Sequence, residues 1–239
     1  MTSGLLVLIP ARGGSRGIPR KNLAVVGGRS LVGWAVAAGL ASERADRVVV
    51  STDDPEIADE ARAAGAEVPF LRPAELAADD TTDLPVFRHA LEHLAAEDGY
   101  RPDLVVHLRP TSPARRPGLV DAAVAALEAR PDATSLRSVS PAPMTPWKMY
   151  DVVDGLLAPL LGTVEAEAYN QPRQALPPAW VHDGVIDVIR TDVLLGGSIS
   201  GPRMLAWPSL PEEAVDIDHP ADLAAAEGAV QAIAALPAT

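Results

Sequence analysis

Leu5-Leu6-Val7-Leu8-Ile9, followed at once by Pro10-Ala11-Arg12-Gly13-Gly14-Ser15-Arg16-Gly17-Ile18-Pro19-Arg20-Lys21-Asn22, is the stretch that decides the fold. The apolar run has the length and branching of a buried parallel strand. A loop entered from such a strand lies at the carboxyl end of a sheet, where open α/β proteins place their ligands. Gly13, Gly14 and Gly17 free the backbone to curl, so that successive N–H groups can point into one concavity, and Arg12, Arg16, Arg20 and Lys21 set cations around it. That combination suits a polyphosphate. A Walker loop needs Gly-Lys-Ser/Thr at its end and the dinucleotide fingerprint needs G-x-G-x-x-G; neither fits, so a different phosphate loop is implied.

Beyond the loop, Ser30 is placed to cap a helix over 31–40, and 47–51 reads as a strand ended by Thr52-Asp53-Asp54-Pro55, with Asp54 as cap and Pro55 at the first position of the next helix. A short strand over 67–71, a helix over 85–96, a strand over 104–108, a helix over 118–129 and a strand over 134–139 follow. Strands alternating with helices of about 10–15 residues predict a Rossmann-like, doubly wound, mostly parallel sheet in three α/β/α layers. The alternation breaks over 140–178, where seven prolines interrupt it. Trp147, Met149, Tyr150, Leu156, Leu157, Leu160 and Leu161 carry too much apolar surface for a disordered linker, so an excursion with its own structure is expected there. Order returns in 180–190, a broken alternation with a glycine where a ligand or backbone comes close. A strand over 203–207 and a helix opening at Asp218-His219-Pro220 complete a single domain spanning 1–239.

The chain of 239 residues carries a formal charge of −12, which argues against general nucleic-acid binding while leaving the basic loop to attract a small nucleotide. No run approaches the roughly 18 apolar residues of a membrane span, and the amino terminus lacks the features of a signal peptide, so a soluble cytoplasmic protein is expected. With no cysteine, any metal must be held by oxygen or nitrogen. Asp216 and Asp218 flank Ile217 and share one face of an extended segment, half of a magnesium site, although Asp218 is equally well placed to cap the last helix. His89 and His93 read as a partly exposed helix face, and His107 as core.

The stretch from Ile9 to Leu23, together with Ser51-Thr52-Asp53-Asp54, Leu108-Arg109-Pro110-Thr111-Ser112-Pro113 and Val215-Asp216-Ile217-Asp218, resembles the acylneuraminate cytidylyltransferases, the CMP-sialic acid synthetases and their relatives. The resemblance implies transfer of CMP from CTP to an oxygen of an acidic acceptor, with release of pyrophosphate and with Mg2+ held by Asp216 and Asp218. It assigns Arg12 and Lys21 to the triphosphate, Asn22 to the nucleoside and Arg16 to the departing pyrophosphate, with Ala11, Gly13, Gly14 and Ser15 in the loop around them. Arg72 and one of Thr81 or Thr82 match positions that grip the cytidine; both threonines also suit helix caps. Arg12, Lys21 and Asp218 are thereby the expected catalytic groups. The excursion at about 140–178 corresponds to an arm exchanged in a homodimer, from which Lys148 can reach a partner's acceptor.

Two departures bear on the acceptor. Arg109 stands where the sialic acid enzymes usually carry glutamine, and a planar cation suits a carboxylate or phosphonate. After Arg173 and Gln174, Val181-His182-Asp183-Gly184-Val185 replaces the common Arg-x-Asn-Gly-Ala, which makes His182 and Asp183 candidate substrate contacts. The acceptor expected from the family is a nonulosonic acid such as a sialic or legionaminic acid; the alternative, favoured by these departures, is a small phosphonate.

Overall fold

In the computed structural model, which describes residues 4–15, 17–161 and 167–236, the opening apolar run is β1 (Leu5–Pro10), buried along nearly its whole length. It lies between β4 (Arg47–Ser51) and β5 (Leu104–His107) and is parallel to both. The sheet continues through β9 (Trp180–Arg190) and β6 (Ser135–Pro141) to β10 (Met204–Pro208), giving the order β10-β6-β9-β5-β1-β4, while β2 (Val25–Val26) and β3 (Arg29–Ser30) pair in a small ribbon of their own. Within the main sheet only β9 runs antiparallel to its neighbours, so the sheet is mostly parallel as expected.

Side chains alternate across the strands and so build two cores. Leu5, Val7 and Ile9 face α1 (Leu31–Leu40), α2 (Pro55–Ala63) and α4 (Leu119–Glu128), while Leu6 and Leu8 face α3 (Asp83–Glu97) and α5 (Thr191–Leu195). The helix starts follow the sequence closely. Ser30 Oγ accepts the Gly33 N–H at 3.1 Å, and Asp54 accepts from Glu56 and Ile57 ahead of a first-turn proline.

A third apolar cluster positions the loop. Ile18 from the glycine-rich loop and Ile217 from the acidic segment are both buried against Ala226, Val230 and Ile233 of α6 (Asp222–Ala234) and Leu31 of α1. Each buried branched side chain contributes about 1.5–3 kcal/mol, so packing holds the two functional segments together.

Two expected elements differ. The 67–71 strand reduces to isolated parallel bridges, Val49 to Glu67 and Thr52 to Leu71, because the chain between them carries Pro69 and forms no continuous ladder. The last helix begins at Asp222, and Asp218 does not cap it; Asp222 instead folds its carboxylate back onto the N–H groups of Asp218 and His219 at 2.9 and 2.7 Å.

The excursion has structure of its own. Its centre is a hairpin, β7 (Tyr150–Val153) with β8 (Leu156–Pro159), closed by Asp154-Gly155 at φ 51° and 78°. Two positive φ values in a two-residue connection define the turn whose twist matches paired strands. Val152, Leu156 and Leu157 are 66%, 74% and 66% exposed.

Candidate active site

At the carboxyl ends of β1 and β5 and the start of α3 lies a cavity of about 250 Å³. Arg12, Lys21, Asn22, Arg72, Thr81 and Arg109 all line it, with Gly14 and Ser15 of the loop on its wall. Residues scattered from position 12 to position 109 therefore converge, as the sequence reading required. A larger cavity of about 770 Å³ lies at the other end of β5, between Leu91 of α3 and Leu195 of α5. It includes none of the loop, whereas the smaller one gathers the basic side chains at the carboxyl ends of the strands and is the candidate site.

Each cation is held by a specific contact. Lys21 Nζ donates to the Ile217 carbonyl at 2.8 Å and to Asp218 Oδ1 at 3.2 Å, joining the loop to the acidic segment. The two segments also touch at Gly17, where an added Cβ would collide with the Asp218 carbonyl oxygen. Asn22 is buried and donates Nδ2 to the Arg12 carbonyl at 2.8 Å, which fixes the loop's entry. Arg12 Nη1 reaches Asp79 Oδ1 at 2.7 Å.

Arg72 is the most enclosed of these cations. It donates Nε to Ser51 Oγ at 3.1 Å, Nη1 to the Leu76 carbonyl at 3.4 Å and Nη2 to the Ser51 carbonyl. Burial pushes its pKa down to about 10, so it stays charged at neutral pH.

Other expected loop contacts are placed differently. Arg20 turns away from the cavity onto Asp54, at 2.6 Å, and Glu56, at 2.7 Å. The Gly13 N–H is taken by Asp53 Oδ1 at 2.9 Å, and Asp54 fills the space a Cβ at Gly13 would need, so this glycine serves close packing. Ala11 is buried and bonded to the Ser51 carbonyl. Arg16 lies outside the described residues. Thr81 lines the cavity and Thr82 does not; Thr82 occupies the cap position of α3 without a side-chain capping bond.

The acceptor-side candidates divide into two groups. Arg109 and His182 meet on Asp187, whose Oδ2 accepts Arg109 Nη1 at 2.8 Å and whose Oδ1 lies 3.3 Å from His182 Nε2. Asp183 accepts the Val185 N–H at 3.3 Å, within the same strand. Lys148, Arg173 and Gln174 belong to the excursion, where Arg173 donates to the carbonyls of Ala142 and Pro143. They do not line the cavity of their own chain.

Sequence reading missed Asp187, Arg137 and the place of His107. A charge inside the apolar run Val185-Ile186-Asp187-Val188-Ile189 was the visible signal. Burial makes such a residue costly unless it is paired. His107 is buried as expected, but its ring also forms part of the cavity lining, against Phe87.

Burial, with the charge of Arg109, pushes the His107 pKa down to about 3. An unfolded histidine titrates near 6.5. Below that pH the unfolded chain gains a proton that the folded one refuses, so stability falls as pH drops from about 6.5 toward 3, by up to about 1.4 kcal/mol per pH unit. Urea titrations at pH 7, 6 and 5 should show this slope, and His107→Gln should flatten it; an unchanged slope would place the proton elsewhere.

A glycine-rich basic loop at the carboxyl end of a mostly parallel sheet, tied by a lysine to an Asp-x-Asp segment, defines an α/β nucleotidyltransferase. Residues 6–151 match the family described as Cytidylyltransferase, and the chain belongs to it. It is 32% identical over 231 residues to the CMP-N,N'-diacetyllegionaminic acid synthase of Legionella pneumophila, covering 93% of this chain and 94% of that one. Over 93 residues, 39% of this chain and 40% of the relative, it is 40% identical to the pseudaminic acid cytidylyltransferase of Campylobacter jejuni. The fold matches a solved CMP:2-keto-3-deoxy-manno-octonic acid synthetase complexed with CTP, with a TM-score of 0.69 over 96% of this chain and 99% of that one at 19% identity. The chain is thus a CTP-dependent enzyme that transfers CMP.

Proposed function

We propose that the enzyme activates a nonulosonic acid of the legionaminic type, forming the CMP-sugar and pyrophosphate. The observation that carries this reading is the Lys21 bridge, which ties the carboxylate of Asp218 to a cation that lines the cavity beside the loop wall. End-to-end likeness to a CMP-legionaminic acid synthase supports the acceptor class.

The phosphonate alternative loses its main support. Arg109 is already engaged by Asp187 at 2.8 Å and Asp83 at 3.4 Å, so its charge is offset within the protein rather than left for a small dianion.

In this reading Arg72, Asn22 and Thr81 hold the cytidine end of CTP, while Arg12 and Lys21 neutralise charge that builds on the departing pyrophosphate. Asp216 and Asp218 are both exposed and flank a buried Ile217, so their carboxylates share the solvent side. Among the described residues no group of three or more His, Asp or Glu could enclose a metal. Magnesium suits such a site, because it commonly takes one or two carboxylates and completes its octahedron with phosphate oxygens and water. When bound, it supplies charge stabilisation on the phosphates.

The excursion supports a homodimer. A two-stranded hairpin is marginal alone, and this one presents Val152, Leu156, Leu157 and Leu160 to solvent in the single chain. Seated on a partner, it would bury that surface and bring Lys148 and Arg173 to the neighbouring site. Among the described residues no helix is long and apolar enough to cross a membrane, and we place the enzyme in the cytoplasm, where CTP is made.

The test is pyrophosphate release with CTP, magnesium and a panel of N,N'-diacetyllegionaminate, N-acetylneuraminate and phosphonoacetate, with Asp218→Ala alongside and sedimentation reading the oligomer. Turnover with a sugar acid is expected, falling by at least about a hundredfold in the variant. Turnover with phosphonoacetate alone would reverse the acceptor assignment, and a monomer at micromolar concentration would remove the dimer.

A further inference from the structure

Asp187 is the hub of a charge cluster. Strand register places Arg137 of β6 and His107 of β5 directly across from it on either side. Its carboxylate, 2% exposed, accepts Arg137 Nε at 3.0 Å and Arg109 Nη1 at 2.8 Å, lies 3.3 Å from His182 Nε2, and has His107 Nδ1 at 3.7 Å. Burial acts to raise the carboxyl's pKa, but a hydrogen bond to His182 and the charges of Arg109 and Arg137 outweigh it and hold the group well below the ordinary range.

His182 reaches this carboxylate only through an irregularity. Residues five apart in a regular strand face opposite sides of the sheet. Between the pairs Arg137–Asp187 and Val139–His182 the register shifts, with Gly184 at φ 76°, and the odd number of extra residues in β9 returns His182 to the side of Asp187. A left-handed residue at such a bulge favours glycine.

The cluster exceeds what pairing one buried carboxylate requires. Arg137 commits only its Nε; its terminal nitrogens Nη1 and Nη2 make no hydrogen bond among the described residues, and the side chain is 24% exposed. A guanidinium anchored through Nε still presents a rigid two-pronged face that matches a carboxylate. Arg137 does not itself line the cavity; it is joined through Asp187, which accepts from both arginines, to Arg109, which does, and His107 of the same cluster lines it too.

We propose that Arg137, with His182 beside it, is the fork that binds the acceptor's carboxylate, and that Asp187 is the positioning residue that aims both. This rests on the reading of the acceptor as a nonulosonic acid. In such an acid the carboxylate and the attacking hydroxyl share one carbon. Seating the carboxylate therefore orients the nucleophile, which in-line transfer needs.

The test compares wild type, Arg137→Gln, Arg137→Lys and Asp187→Asn with N,N'-diacetyllegionaminate or N-acetylneuraminate as acceptor and the corresponding carboxamides as competitors. Arg137→Gln should raise the acceptor KM by at least about tenfold, the loss expected for a charged hydrogen-bonding partner, with the CTP KM within about twofold. Wild type should prefer acid to amide, and Arg137→Gln should lose that preference. Arg137→Lys should recover part of the acceptor KM, since a point charge lacks the planar fork. Asp187→Asn should act in the same direction, and if it folds poorly the partly exposed Arg137 variants decide alone. Arg137→Gln with an unchanged acceptor KM and an intact preference for the acid would overturn the proposal. Wild type inactive on both sugar acids would instead overturn the acceptor reading, and the proposal with it.

Discussion

Lys21→Met is expected to lower kcat/KM for pyrophosphate release by about a thousandfold, the scale seen when one preorganised donor to a developing oxyanion is removed, while leaving the fold intact. Methionine keeps the length and apolar stem of the side chain and removes only the ammonium. The side chain is 14% exposed and its ammonium is bonded to the Ile217 carbonyl and Asp218, contacts that no other cation of the loop makes among the described residues. Arg20→Ala is the control, because Arg20 belongs to the same basic run yet points at Asp54 and Glu56. It should retain activity within about threefold, in keeping with the small worth of exposed ion pairs. If Lys21→Met kept more than a tenth of wild-type kcat/KM, or if Arg20→Ala fell with it, the loop would act as a diffuse positive field and not through one aimed donor.

Glu213→Ala is expected to cost about 3–5 kcal/mol of folding stability, the range for breaking a buried charge pair. For a chain of this size that lowers the melting temperature by roughly 10 °C. Glu213 is fully buried. It accepts the backbone N–H of Arg116 at 3.1 Å and of Leu210 at 2.9 Å, and pairs with the Arg116 guanidinium. Removing the carboxylate orphans two N–H groups together with the cation. The loss should extend to activity, because Glu213 lies just before the 215–218 segment and ties it to the loop after β5. Glu213→Gln keeps one acceptor oxygen and should recover about half. Thermal melts of the three proteins decide this; a shift under 2 °C for Glu213→Ala would mean that the loop relaxes and rehydrates.

Much of this architecture was legible because local and tertiary preferences agree. Ser30, Asp54 and Pro55 place helix starts where packing also wants them, and the five apolar residues of β1 admit only a buried strand. The antiparallel course of β9 was not legible, since an apolar run buried on both faces reads the same in either direction. The hairpin was written in the sequence as Val152-Val153-Asp154-Gly155-Leu156-Leu157, an Asp-Gly pair between apolar runs, and the surrounding prolines masked it. Within the site, the convergence of Arg12, Lys21, Arg72 and Arg109 followed from their places after strands. The partners of those cations did not. Asp79, Asp187 and the Ile217 carbonyl are brought to them by tertiary packing, which sequence spacing does not encode.

The register shift in β9 also limits how the gene can change. Across the segment between His182 and Asp187, loss or gain of a single codon would turn His182 to the opposite face and leave Asp187 one partner short. Paired changes would keep both on the same side. Descendants of this chain can therefore drift in side-chain identity on the outer face, while length there varies only in steps of two.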